Sequence, residues 1–115
     1  MKKINILKES REFSRIIKKY SSIKYKDYII YIEKNTEDIY HFGFSVSKKI
    51  GNAVTRNKIK RRIKNILDKN SYQNNFNCII IVRKSILDKS FAEMEEDLFK
   101  LCKKIEILKG EDYEK

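Results

Sequence analysis

The sequence predicts an α+β fold, a small sandwich in which helices pack on a mixed sheet of about four strands. Two observations lead to this prediction. Short segments rich in β-branched and aromatic residues, typical of strands, alternate along the chain with longer segments whose apolar residues recur every three or four positions, typical of helices. One predicted helix lies between two predicted strands, which implies a crossover connection and a parallel strand pair. The predicted order is αββ(β)αβα, where the bracket marks one further short strand.

The sequence pattern of the N-terminal half predicts one helix and two strands. We expect the first helix to begin at the N-cap Ser10 and to end near Tyr20. Its apolar residues fall on one face: Phe13, Ile16, Ile17 and Tyr20. Residues 27–34 are rich in β-branched and aromatic side chains, which predicts a strand. Residues 40–47 alternate strictly between large apolar and other side chains, which predicts a second strand with one exposed face.

The sequence pattern of the C-terminal half predicts a helix, a strand and a second helix. Residues 55–69 form the second predicted helix, and its buried stripe consists of Ile59, Ile63, Ile66 and Leu67. The short apolar run at 78–83 is typical of a central strand. Ser90 and Glu93 have the spacing of a capping box at the start of the last helix, whose apolar stripe continues to Leu108.

The chain is expected to be a single cytoplasmic domain. Its 115 residues suffice for one hydrophobic core, with flexible ends at about 1–9 and 109–115. No apolar run approaches the roughly 18 residues of a membrane helix, and the beginning of the sequence lacks the apolar core of a signal peptide. Cys78 and Cys102 lie in apolar segments without CxxC spacing, as buried reduced thiols do.

Positive charge is concentrated in one part of the chain. The net charge is +11, from 27 basic and 16 acidic residues. Residues 43–70 hold nine of the basic residues and one acidic residue, Asp68. Three of the six arginines lie within seven residues of each other: Arg56, Arg61 and Arg62. A local excess of this kind predicts a surface that binds a polyanion.

The second predicted helix carries this charge on its exposed side. At about 100° per residue, the side away from the buried stripe holds Asn57, Lys58, Lys60, Arg61, Arg62, Lys64 and Asp68. Arg56 lies in the first turn, where a cation opposes the helix dipole and can bind an anion together with backbone N–H groups. A merely solvated lysine-rich face would explain Lys60 and Lys64, but not the clustered arginines or the scarcity of acidic partners. We therefore expect nucleic-acid binding.

RNA is the expected nucleic acid, rather than DNA. The sequence has no helix-turn-helix, zinc-finger or zipper spacing. Aromatic residues accompany the predicted sheet instead, among them Phe13, Tyr28 and Tyr31. Aromatic side chains on an open sheet face can stack on unpaired bases. Spacing alone, however, favours a core position for Phe13 and Tyr31.

No catalytic or metal site is expected within the protein. The single histidine, His41, lies in the middle of a strand without a carboxylate pattern around it, which favours a structural role. The last helix begins with four acidic residues that its dipole favours, and they would bind a metal only weakly: Glu93, Glu95, Glu96 and Asp97.

Residues 44–67, FSVSKKIGNAVTRNKIKRRIKNIL, closely resemble the signature of the protein component of bacterial ribonuclease P. That family carries a helix usually written RNRIKR after a strand and a KKxGNAV linker, and here the helix reads RNKIKR. The likeness is looser at 10–33 and 78–108, where the order of the elements agrees. The resemblance implies the fold of the second domain of a small-subunit ribosomal protein, with a left-handed βαβ crossover where the general rule predicts a right-handed one.

The resemblance also implies an RNA-based endonuclease that removes the 5′ leader from precursor tRNA. In that family the RNA subunit holds the catalytic Mg²⁺ ions, and the protein binds that RNA and the leader. The residues that would contact or flank the catalytic RNA are Lys48, Lys49, Arg56, Asn57, Lys58, Lys60, Arg61, Arg62 and Lys64. The leader would lie between the first helix and the sheet, against Phe13, Ile17 and Tyr31.

Two positions depart from the family pattern. Lys58 stands where the motif has its second arginine, which replaces a bidentate contact by a point charge. Ile17 stands where an aromatic residue is common, so base stacking at this point is in question.

Two alternative functions share some of these features. A ribosomal or other structural RNA-binding protein would have the same charge and fold, but would not increase cleavage of precursor tRNA. A stand-alone nuclease would need a metal held by the protein, or a paired base and nucleophile.

Overall fold

The computed structural model describes residues 1–110, so most of the C-terminal end that was predicted to be flexible, 111–115, lies outside the described residues. Three helices and four strands follow one another in the predicted order: α1 (Ser10–Lys19), β1 (Ile23–Tyr25), β2 (Tyr28–Lys34), β3 (Tyr40–Val46), α2 (Ala53–Leu67), β4 (Phe76–Val82) and α3 (Phe91–Lys104). Single 3-10 turns are formed by Lys3–Asn5 and Lys84–Asp88.

The strands form one mixed sheet in the order β1-β2-β4-β3. Strand β2 pairs antiparallel with β1 and with β4, whereas β3 and β4 are parallel. Helix α2 connects β3 to β4, so the predicted crossover and parallel pair are confirmed. The further short strand is β1, at the edge beside β2.

The main core lies between one face of the sheet and helices α2 and α3. The sheet contributes Tyr28, Ile30, Phe42, Val46, Phe76, Cys78, Ile80 and Val82. All four residues of the predicted α2 stripe are buried: Ile59, Ile63, Ile66 and Leu67. Both cysteines are free and buried, and burial raises the pKa of the Cys102 thiol to about 12.

Helix α1 packs on the opposite face of the sheet. Ile16 of α1 and Ile79 of β4 have no solvent-exposed surface and lie outside the main core cluster. Strand register places three rows on this face, and each row crosses β2, β4 and β3 in turn: Ile29–Ile81–Ser45, Tyr31–Ile79–Gly43 and Glu33–Asn77–His41. Ile29, Tyr31, Ser45 and Ile81 on this face are only half-buried, so α1 covers the face in part. We call the partly uncovered strip beside α1 the cleft.

Helix boundaries differ from the predictions in all three helices. Helix α2 begins at Ala53 and ends at Leu67, two residues earlier at each end than the predicted 55–69. The N-cap of α1 is Glu9, without a side-chain hydrogen bond, and Ser10 is the first helical residue. Helix α3 ends at Lys104 rather than near Leu108, because Glu106 adopts a left-handed conformation with φ 59°. The N–H of Ile107 then donates to the carbonyl of Cys102, which completes a Schellman-type end.

The N-terminal segment, residues 1–7, lies along the edge of β3. The side-chain amide of Asn5 donates to the carbonyl of Tyr40 at 2.8 Å, and the N–H of Leu7 donates to the carbonyl of Phe42 at 2.8 Å. Part of the N-terminal end that was predicted to be flexible thus contacts the sheet, and its flexibility stays a prediction.

Candidate nucleic-acid interface

Burial of one stripe of α2 fixes which side chains of the helix face solvent. Asn57, Lys58 and Arg61 are exposed, and Arg56, Lys60, Arg62 and Lys64 are half-buried. Lys48 and Lys49 are exposed in the turn that follows β3, which the buried Ile50 attaches to the core. We call the following residues the basic surface: Lys48, Lys49, Arg56, Asn57, Lys58, Lys60, Arg61, Arg62 and Lys64.

The cations of the basic surface lack acidic partners. Within residues 1–110, none of them forms an ion pair with a carboxylate. Asp68, the acidic residue nearest to them in sequence, pairs instead with the N-terminal ammonium group. Lysines one turn apart, such as Lys60 and Lys64, repel each other. The full positive charge is therefore available to an external anion.

The first turn of α2 adds donors to this charge. The side chain of Asn52 accepts a hydrogen bond from the N–H of Thr55 at 2.9 Å and so caps the helix. The Nε–H of Arg56 is buried and has no acceptor among the described residues. Buried donors are almost always paired, so the Arg56 side chain keeps one unmet hydrogen bond in the free protein.

A concavity of about 250 Å³ joins the basic surface to the face that carries α1. Lys60 and Lys64 line it together with Phe13, Phe44 and Leu7. The ammonium of Lys64 lies 5.8 Å from the centre of the Phe44 ring, a cation–π distance. The structure thus brings two predicted RNA-contacting residues next to a predicted leader-binding residue. No sequence pattern indicated Phe44, because its alternating position predicts only a core side chain.

Two of the three predicted leader-binding residues, Phe13 and Ile17, lie on α1, and the third, Tyr31, lies on the sheet face that α1 partly covers. Phe13, Ile17 and Tyr31 are all half-buried, so each is anchored and still offers part of its surface. The ring of Phe13 lies directly against Gly43, where a Cβ would come within 2.6 Å of its Cζ atom. Strand register places Gly43 and Tyr31 in one row, on either side of Ile79.

A polar network at one end of the cleft was not predicted. The guanidinium of Arg15 donates to both carboxylate oxygens of Glu33, at 2.7 and 2.8 Å. This contact is the main reason why the pKa of Glu33 falls to about 2, with hydrogen bonds from Asn77 and Tyr20 adding to the effect and burial opposing it. His41 belongs to the same network through Asn77, which agrees with its predicted structural role.

Two further features concern the described part of the chain. Within residues 1–110, no three His, Cys, Asp or Glu side chains gather into a group that could hold a metal ion. No helix in this range is long and apolar enough to cross a membrane.

Comparison with known proteins decides the family. The family model described as ribonuclease P matches residues 1–106. The chain belongs to the ribonuclease P protein family. The ribonuclease P protein component of Mycoplasma capricolum subsp. capricolum is 42% identical over 108 residues, which cover 91% of this chain and 99% of that protein. The component from Halalkalibacterium halodurans is 37% identical over 111 residues, with 94% and 93% coverage.

Solved structures of ribonuclease P proteins share the fold. The Staphylococcus aureus protein superposes with a TM-score of 0.82 at 31% identity, covering 91% of this chain and 98% of that one. The Thermotoga maritima protein gives 0.77 at 29% identity, with 85% and 94% coverage. The predicted α+β fold and the predicted role of ribonuclease P protein subunit are confirmed, which favours that role over the ribosomal alternative.

Proposed function

We propose that the chain takes part in removing the 5′ leader from precursor tRNA, as the subunit that binds the catalytic RNA of ribonuclease P and holds the leader. The observation that carries this proposal is the basic surface, whose cations have no acidic partners among the described residues. Hydrolysis is assigned to the RNA, which would hold the catalytic Mg²⁺ ions.

Phosphate contacts of the catalytic RNA fit the chemistry of the basic surface. The arginines can each bind a phosphate through two parallel hydrogen bonds, and the lysines act as point charges. Neutralised phosphates release counterions, which makes such binding strong at low salt. The helix would tolerate its internal repulsion because the RNA backbone offsets it in the complex.

The single-stranded leader fits the cleft between α1 and the sheet. Phe13 and Tyr31 can stack on unpaired bases. Such stacking gives little sequence preference, because every base has an aromatic face. Ile17 offers only an apolar contact at its position. The concavity beside Lys60 and Lys64 would let a backbone phosphate pass from the cleft to the basic surface.

Cleavage of 5′-labelled precursor tRNA by a bacterial ribonuclease P RNA at low Mg²⁺ tests the proposal. We expect the protein to restore accurate cleavage under these conditions, because its cations reduce phosphate repulsion near the RNA's active centre. The protein without RNA should give no product. An RNA that binds the protein and shows no gain in cleavage would contradict the proposal and favour a purely structural RNA-binding role.

A further inference from the structure

We propose that Arg15, Glu33, Asn77 and His41 form a clamp that positions α1 over the sheet and so sets the shape of the leader cleft. This inference rests on the proposed function and adds positioning residues that do not themselves touch RNA. The network in which they lie joins α1 to three neighbouring strands, β2, β4 and β3.

The link between α1 and the sheet is the contact between Arg15 and Glu33. Two parallel hydrogen bonds of 2.7 and 2.8 Å join the guanidinium to the carboxylate, a geometry that fixes direction as well as distance. Glu33 is 6% exposed, so its charge lies largely out of water and needs this partner. Arg15 also bonds Glu12, but Glu12 belongs to α1 and adds no link to the sheet.

Asn77 carries the link across the sheet. Its amide nitrogen donates to Glu33 at 2.9 Å, so its oxygen points away from that carboxylate. This oxygen accepts from the amide of Asn35 at 3.0 Å and from Nδ1 of His41 at 2.8 Å. His41 must therefore carry a proton on Nδ1, and the row Glu33–Asn77–His41 is hydrogen-bonded from β2 to β3.

The clamp lies directly beside the cleft. The neighbouring row on the same face is Tyr31–Ile79–Gly43, and Gly43 is the residue against which Phe13 packs. Arg15 is on the same helix as Phe13 and Ile17, so loss of its contact with Glu33 would let α1 shift and move the cleft wall. An unpaired Glu33 would also place a negative charge one row away from a bound leader, where it would repel phosphate.

Glu33→Gln and Arg15→Met remove the clamp with little change of shape, and Glu12→Gln is the matched control. The ribonuclease P holoenzyme is assembled with a bacterial ribonuclease P RNA. Its dissociation constant is measured for a precursor tRNA blocked at the cleavage site and for mature tRNA without a leader. The constant for mature tRNA divided by the constant for precursor tRNA isolates the contribution of the leader, and the leaderless tRNA is the internal reference.

We expect Glu33→Gln and Arg15→Met each to lower this ratio about fivefold to tenfold, and the double variant to lower it no further, because both remove the same link. Glu12→Gln should leave the ratio unchanged. Hydrogen exchange supplies an independent readout: amides of α1 should exchange faster in both clamp variants, while those of β4 keep their protection.

Two outcomes separate this inference from the proposed function. Clamp variants that loosen α1 and keep the wild-type ratio would overturn the positioning role while leaving the leader cleft intact. A wild-type holoenzyme with equal affinity for the two tRNAs would overturn the leader-binding proposal itself, and the clamp role with it. An equal loss in Glu12→Gln and Glu33→Gln would also contradict the clamp, because only Glu33 links α1 to the sheet.

Discussion

Gly43 lets the Phe13 ring of α1 pack closely on the sheet. A Cβ at this position would lie 2.6 Å from Cζ of Phe13 and 3.0 Å from Cε1, both at the far end of the side chain. We expect Gly43→Ala to displace the Phe13 ring, at a cost of about 1 kcal/mol in the free energy of unfolding, and to weaken leader binding more clearly than stability. Urea denaturation and binding of leader-containing precursor tRNA measure the two effects.

Gly110→Ala is the control for this substitution, since no heavy atom lies within 4 Å of a Cβ there. It should change neither quantity. A Gly43→Ala protein that binds the leader as tightly as wild type would show that the position of Phe13 does not matter for the cleft.

Arg61 is an exposed member of the basic surface without an acidic partner among residues 1–110. We expect Arg61→Ala to weaken binding to the catalytic RNA and to reduce the salt dependence of the binding constant by about one ion, because one phosphate contact is lost. Filter binding across a salt series measures both. Arg11→Ala, which removes an exposed arginine of α1 paired with Glu9, serves as the control. An unchanged salt slope in Arg61→Ala would exclude a direct phosphate contact.

Glu33 makes the free energy of unfolding depend on pH in the acidic range. Its pKa in the folded state, about 2, is below the value of about 4.3 for an unfolded chain. The folded state therefore binds fewer protons in this interval, and the stabilisation is present above about pH 4.3 and lost as the pH falls towards 2. We expect the stability difference between wild type and Glu33→Gln to shrink from about pH 5 to about pH 3. Urea midpoints at several pH values test this, and a constant difference would contradict it.

At the scale of elements, helix α2 depends on a single side-chain cap. Asn52 accepts a hydrogen bond from the N–H of Thr55, and the basic surface begins within the next turn. Asn52→Ala should lower the free energy of unfolding by about 1 kcal/mol. Asn65→Ala, on the exposed side of the same helix, makes the same chemical change without removing a cap. It should be neutral or slightly stabilising, because alanine has the higher helix propensity. Thermal or urea denaturation compares them, and equal effects would argue against the cap.

Local patterns predicted the elements well where local contacts decide them. The capping box of Ser90 and Glu93 is present with both hydrogen bonds. The α3 C-terminus was placed too late because its left-handed residue is Glu106 rather than the usual glycine. The cap of α1 was placed one residue late, since Ser10 and Glu9 adjoin and only the backbone conformation distinguishes them.

At the scale of the whole molecule, the basic surface was predictable and the clamp was not. The charges of the basic surface lie within 17 residues of sequence, from Lys48 to Lys64, and the apolar stripe determines which way they face. The clamp joins residues 15, 33, 41 and 77, whose proximity depends on strand order and on the placement of α1. No local periodicity carries that information.

The concentration of unpaired charge also predicts how the free protein responds to anions. A ligand that binds only the folded state stabilises it by mass action, by about 2.7 kcal/mol at one hundred times its dissociation constant. We expect pyrophosphate to raise the melting temperature more than sodium chloride of equal ionic strength. The rise should be smaller in the double variant Arg61→Ala and Lys64→Ala. Identical effects of the two salts on the wild-type protein would indicate screening alone.

Strand β3 lies at the edge of the sheet, and the N-terminal segment pairs with it at Phe42 through a parallel bridge from Ile6. Without that segment, the edge would present open backbone groups next to the aromatic residues Tyr40, Phe42 and Phe44. Such an edge is a template on which another chain can add a strand. We therefore expect a variant that lacks the first seven residues to self-associate in the absence of RNA, even if each remaining element folds correctly.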